Sequence, residues 1–377
     1  MALTPSSGWS KYSDITVGSP SSDYQMKIDL RRGSGTNDPT NGILYDENNC
    51  YYSDMRDVQI NSTNDPTTGT RLPQWTEEVS SGTKRVFWVK TNGASHIYIF
   101  VGNSSASEYS DGDATFDFFD DFDGTSLDTT TKWTVEQGAV DVADSVVTLI
   151  DGDRIATKSN FSYNTAVRAK WQSQSLGSSG QNAVGYNYFT PEHIRAECYG
   201  GDTYFRLNGR KDSSVSEIKV FTTLTIDTSY HIVDVLREDT TKVEVKFDGN
   251  SVSSINSDAI PTIATSVDLG TRDTGSYSGT VKCDWLLIRK YASTEPSFTN
   301  FGAWTNVSGV SYSDSGIRYY DGTAVQAISM YSDATTSALR FYDGTNVKHI
   351  PLVATNDANA SLIRVYDGTE VKALRKQ

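Results

Sequence analysis

Three short stretches collect the side chains best suited to gripping a small polar ligand. They are Val184-Gly-Tyr-Asn-Tyr-Phe189, Ile194-Arg-Ala-Glu-Cys-Tyr199 and Thr203-Tyr-Phe-Arg-Leu207. If all three are strands, alternation with a period of two sets Tyr186 with Tyr188, Arg195 with Glu197 and Tyr199, and Tyr204 with Arg206. Together these faces would make a sheet surface with rings to stack a sugar and forked polar groups to hold its hydroxyls. The same residues admit a plainer reading, in which the tyrosines are cross-strand packing and Arg195 and Glu197 are an exposed pair. A second group is acidic. Asp120, Asp121 and Asp123, with Asp284 from far along the chain, could supply the oxygen ligands of a structural calcium ion. Turn formation and solvated charge are the alternative.

Other chemistries find few residues to use. Cys50, Cys198 and Cys283 are far apart, and an odd count leaves at least one thiol free unless it pairs between chains. His96, His193, His231 and His349 are equally scattered, so zinc with Cys/His spacing is not expected. Ser-His-Asp and phosphate-loop patterns are absent, and no organic cofactor is expected. The formal charge of −14 over 377 residues, without a basic run, excludes nucleic acid and an anionic membrane surface as partners. No window approaches 18 apolar residues, so no membrane insertion is expected. The first residues carry neither a charged nor an apolar signal region. The expectation is that either a leader was removed or the protein leaves the cell by another route. Sequons at Asn61, Asn103, Asn160, Asn306 and Asn359 arise readily in a chain this rich in Asn, Ser and Thr.

The elements that must position these residues are strands. Tyr24–Leu30, Arg85–Lys90, His96–Val101 and Lys242–Phe247 alternate apolar with polar residues, the mark of half-buried antiparallel strands. Asp-Gly and Asn-Gly steps punctuate them. The chain reads as all-β: two tandem β-sandwiches over 1–113 and 114–295, then a linker and a β-hairpin repeat module over 296–377. Asn103–Gly112 and Ser293–Ser297 read as linkers. The repeat is explicit. Ile317-Arg-Tyr-Tyr-Asp-Gly-Thr recurs as Leu339-Arg-Phe-Tyr-Asp-Gly-Thr and Ile363-Arg-Val-Tyr-Asp-Gly-Thr, at spacings of 22 and 24 residues. Each copy predicts strand, Asp-Gly turn, strand, and the set a meander of six short strands packed on each other or on another chain. From Ser313 onward seven acids balance seven bases, so this neutral part is the one suited to docking.

The first block resembles a small β-sandwich family of unknown function from archaeal and bacterial surface proteins and their viruses. Trp9-Ser-Lys-Tyr-Ser-Asp-Ile-Thr-Val, Leu72-Pro-Gln-Trp-Thr-Glu-Glu and Ile97-Tyr-Ile-Phe-Val-Gly-Asn103 carry the likeness; no catalytic residues transfer from it. The second resembles the concanavalin A-like jelly rolls of the laminin-G and lectin/glucanase superfamily. Its opening, Phe119-Asp-Asp-Phe-Asp-Gly-Thr-Ser-Leu-Asp, and its closing, Asp284-Trp-Leu-Leu-Ile-Arg-Lys-Tyr291, are ends that meet in space in such domains. That superfamily holds both glycosidases and sugar-binding modules. A retaining enzyme needs two carboxylates about 5–5.5 Å apart, as in Glu-x-Asp-x-x-Glu on one strand. No such cluster is seen, since Asp234 precedes Val-Leu and Glu244 sits alone in Val-Glu-Val. The expectation is therefore a protein that is not an enzyme.

The Tyr-Asp-Gly-Thr hairpins resemble short repeats of viral tail fibres. The resemblances together imply a virion structural protein on the particle surface, a tail fibre, tail tip or capsid decoration. Its expected partners are host cell-surface glycan or glycoprotein and other virion proteins, and its expected state a homo-oligomer such as a trimer. A cellular surface adhesin and a polysaccharide hydrolase are the alternatives.

Overall fold

Along β1 (Lys11–Gly18) every second side chain, Ser13, Ile15 and Val17, turns inward, and the same rhythm repeats through the first hundred residues. The computed structural model describes residues 8–80, 82–174, 180–187, 190–199, 204–222, 224, 227–258, 260–272 and 279–307, and six strands beyond them. The first sandwich continues with β2 (Gln25–Arg31), β3 (Ile43–Tyr45), β4 (Gln59–Asn61), β5 (Gln74–Ser80), β6 (Lys84–Lys90) and β7 (His96–Val101). One sheet runs β3-β2-β6-β5 and the other has β1-β7-β4 at its heart. Ile15, Val17, Ile97 and Ile99 meet Ile28, Leu30, Phe87 and Val89 between the sheets.

A one-turn helix, α1 (Gly112–Thr115), capped by the Asp111 side chain on the Ala114 N–H, leads into the second sandwich. Its strands are β8 (Phe118–Asp120), β9 (Trp133–Gln137), β10 (Asp141–Ala143), β11 (Val146–Ile150), β12 (Arg154–Thr157), β13 (Thr165–Gln174) and β14 (Gln181–Tyr186). They go on as β15 (His193–Tyr199), β16 (Tyr204–Arg210), β17 (Ile218–Phe221), β18 (His231–Arg237), β19 (Lys242–Phe247), β20 (Asn250–Asn256), β21 (Val267–Arg272) and β22 (Thr280–Lys290). One sheet is ordered β10-β11-β22-β13-β18-β19-β20, with β8 on β22; the other is β17-β16-β15-β14-β21-β12-β9. Val167, Ala169, Trp171, Val233 and Val235 of the first face Val184, Tyr186, Ile194, Phe205 and Leu269 of the second. The β19–β20 hairpin turns on Asp248 and Gly249, both at positive φ (48° and 80°), the conformation a two-residue turn requires. As expected for such a domain, its ends meet, with Phe119 opposite Leu287.

The two segments read as linkers are structured. Within Asn103–Gly112, Asp111 N–H donates to Gln74 O at 2.8 Å, and Ser110 Oγ accepts from Thr76 N–H at 3.0 Å. After the second sandwich the chain returns to the first: β23 (Ser297–Phe301) and β24 (Thr305–Asn306) both pair with β1. Phe298 and Phe301 join the first core, which is why this segment is not a free tether. The second sandwich is thus inserted into the first.

The sandwiches pack through their outer faces. Trp75 and Trp88 meet Phe116, Phe119, Trp285 and Leu287. Beside them Arg168 of β13 bonds Asp234 at 2.6 Å and reaches Glu77 of β5 at 2.7 Å, all three nearly buried.

Residues 308–377 form a separate unit. Within it β25 (Arg318–Tyr320) pairs β26 (Val325–Ala327), β27 (Ala338–Tyr342) pairs β28 (Val347–Pro351), and β29 (Ile363–Tyr366) pairs β30 (Val371–Leu374). Each repeat copy is a hairpin. Among the described residues each hairpin is a two-stranded sheet. The Asp-Gly turns lie outside the described residues. Among the described residues no helix is long and apolar enough to cross a membrane.

Candidate functional site

Strands β14 to β17 carry the sugar-gripping residues predicted from sequence, and their register decides which face each takes. Gly185 lies opposite Arg195, Arg195 opposite Asn208, Glu197 opposite Arg206, and Arg206 opposite Phe221. Residues directly opposite in an antiparallel pair share a face. Arg195, Glu197, Tyr199, Arg206, Asn208, Lys219 and Phe221 therefore lie on the face turned away from the core, while Ile194, Ala196, Cys198, Phe205 and Leu207 fill the core. Strands β14 and β15 approach so closely at Gly185 that an added Cβ would stand 2.1 Å from the Ile194 carbonyl oxygen.

The centre of this face is an ionic network. Glu197 is fully buried. It pairs with Arg195 Nε at 2.9 Å and with Arg206 Nε, and accepts from Asn208 Nδ2. Arg195 also holds Glu217 at 2.7 Å, and Glu217 in turn meets His193 Nε2 at 3.1 Å and Lys219 Nζ at 2.9 Å. Burial raises the Glu217 carboxyl, but Lys219 and Arg195 outweigh it and hold the group below its usual range. Burial first, and then the Arg195 charge, push His193 down to about 4. The Arg206 guanidinium is flanked by rings, its carbon 4.2 Å from the Tyr199 centroid and 5.7 Å from that of Phe221. Phe221 is 53% exposed. The result is a pre-formed polar plate with an aromatic rim.

Of the predicted binding residues, Arg195, Glu197, Tyr199 and Arg206 come together. Arg195 and Glu197 are not the exposed pair of the plainer reading but a buried one. Tyr204 stands opposite Tyr199 in register, and Tyr188 lies outside the described residues. Tyr186 is a correction. It pairs with Ile194, so it points into the core, where it is fully buried and bonds Thr165; burial pushes its phenol up to about 12. Sequence reasoning missed Asn208, Glu217, His193 and Phe221. The signal for Asn208 and Phe221 was available in the alternation of Phe205-Arg-Leu-Asn208 and Ile218-Lys-Val-Phe221.

The expected calcium site is also corrected. Asp120 spends its oxygens on the Phe122 N–H, at 2.8 Å, and the Trp133 indole N–H. Burial raises its carboxyl, an effect those two bonds only partly offset. Asp284 is paired with Lys170. Asp120, Asp121 and Asp123 do line a cavity of about 290 Å³ together with Lys132, but Asp284 is not among its walls. Among the described residues no three His, Cys, Asp or Glu side chains converge as a cation would need. The residues present do not fit the ion.

Residues 54–136 match the Domain of unknown function (DUF2341). The match runs from before β4 through α1 into β9, and so crosses from one sandwich to the other. Comparison with curated proteins gave no match. Among solved structures the chain is similar to an endo-acting O-glycanase of the human gut microbiota (17% identity, 46% of this chain and 99% of that one, TM-score 0.39). It is also similar to a β-1,3-1,4-glucanase (lichenase) from a mouse hindgut metagenome (16%, 46% and 98%, 0.38). A third is a β-1,3-glucanase from Mycobacterium marinum (15%, 46% and 98%, 0.39). At these identities the likeness concerns fold. The expectation of a protein that is not an enzyme is corrected: the solved structures the chain is similar to include a lichenase and a β-1,3-glucanase.

Proposed function

We propose that the second sandwich recognises carbohydrate through the plate formed by β15, β16 and β17. The observation that carries this reading is the joint presence, on one sheet face, of the Arg195–Glu197–Arg206–Asn208 network and the rim of Tyr199 and Phe221. Fixed donors and acceptors beside flat rings are what a ring of hydroxyls with an apolar face requires. The test is binding of the full chain to a panel of neutral and charged polysaccharides by calorimetry. Phe221→Ala, at an exposed position, should weaken binding by about three- to tenfold without lowering thermal stability. Unchanged affinity in both Phe221→Ala and Tyr199→Ala would show that the sugar binds elsewhere.

A hydrolytic reading stands beside it, supported by one feature: Glu197 and Glu217 are both held against the single guanidinium of Arg195, and paired carboxylates are the machinery of glycoside hydrolysis. Release of reducing ends from a bound polysaccharide, abolished in Glu197→Gln and in Glu217→Gln, would establish it.

In the wider proposal the chain sits on the outside of a virus particle and attaches it to host glycan. The three Tyr-Asp-Gly-Thr hairpins support this reading as the joint between copies, since repeated weak sites give firm attachment. Finding the chain in purified particles, and as a trimer on sedimentation, would bear it out.

A further inference from the structure

Arg206 is held on three sides. Its Nε is engaged by Glu197. Tyr199 and Phe221 flank its plane. The residue as a whole is 5% exposed. Among the described residues its two terminal nitrogens have no hydrogen-bond partner. A guanidinium tethered at Nε and braced by rings keeps little rotational freedom and presents its remaining N–H groups as a fixed fork. Two residues along the same strand and on the same face, about 7 Å away, Asn208 donates its amide N–H to Glu197. Its Oδ1 is buried without a partner. The plate therefore holds a planar double donor beside an unused acceptor.

We infer, on the reading of this face as a carbohydrate site, that its ligand is an anionic saccharide whose acidic group docks end-on to the Arg206 fork. A neutral sugar hydroxyl would use one N–H at a time; a carboxylate or sulfate takes both, with charge assistance that is stronger in a buried setting. Glu197 neutralises part of the Arg206 charge, and Arg195 carries a second cation beside it, so the plate does not repel an anion. The exposed Phe221 ring is placed to take the apolar face of the sugar.

The experiment measures affinity of the full chain for matched oligosaccharides by calorimetry. The probes are oligogalacturonate, the same oligomer with its carboxyls methyl-esterified, a sulfated carrageenan oligosaccharide, and its desulfated form. The expected result is that at least one anionic probe binds about tenfold or more tighter than its neutralised twin. Which of the two does so tells carboxylate from sulfate. Arg206→Lys keeps the charge but loses the fork, and should erase most of that preference. A thermal melt of the variant checks that the fold survives. Equal binding of charged and neutralised twins would overturn this inference while leaving carbohydrate recognition intact. Binding of no saccharide in the panel would overturn both. A preference retained in Arg206→Lys and Arg206→Gln alike would place the anion elsewhere and also overturn it.

Discussion

His193 and His231 titrate in opposite senses, and their surroundings say why. Burial, and after it the Arg195 charge, hold the folded value of His193 at about 4 against 6.5 for a free ring. As pH falls the unfolded chain takes up the proton first. The stability contributed by the neutral ring is complete above about 6.5 and drains away down to about 4. Glu217 beside it is held below its usual value, so it loses its contribution only at pH below 4.5. For His231 burial opposes the charge, but Asp248 and Asp227 outweigh it and raise the group. Its contribution is full below 6.5 and is lost as pH rises through the folded value. Urea melts across pH 4.5–8 should show His193→Gln flattening the acid limb and His231→Gln the alkaline one. Coincident profiles for both variants and the parent would contradict the assignments.

Arg168 offers a second residue-scale prediction. Replacing it by Met leaves Glu77 and Asp234 buried without their shared cation, which costs about 3–5 kcal/mol. The urea midpoint measures it, and a loss under about 1 kcal/mol would mean that the pair relaxes to solvent.

Elements were the easier part to read. Half-buried strands announce themselves by alternation, and β1, β2 and β19 follow the pattern closely. Register is where the reading failed, because a one-residue slip moves a whole strand's side chains to the other face. Tyr186 was expected on the same sheet face as Arg195, but the residue opposite Arg195 is Gly185. Nothing in the local sequence counts the residues in the turn that joins the two strands. The return of residues 297–306 to β1 was equally hidden, since a pairing across almost 290 residues leaves no local mark; Phe298 and Phe301, three apart, do not keep a period of two. That element makes a sharp prediction. Phe298→Ala should destabilise the first sandwich by about 3–5 kcal/mol. A chain ending at residue 295 should expose the edge of β1 and aggregate, whereas one ending at residue 307 should melt as the parent does.

At the scale of the molecule, insertion of one sandwich into another ties the two together at a shared aromatic and ionic surface, with Trp75, Trp88 and Trp285 meeting there. The DUF2341 match spans that surface, taking in both sides of the junction. Pulling the chain at both ends of this unit exposes a further property. Lys11 of β1 lies beside Asn306 of β24, so a load applied through residues 8 and 307 arrives at neighbouring rungs of one ladder. It would peel those rungs apart one by one, a mode that yields at low force. The polar plate of β15–β17, looped out between β7 and β23, would feel no tension until that zipper had opened.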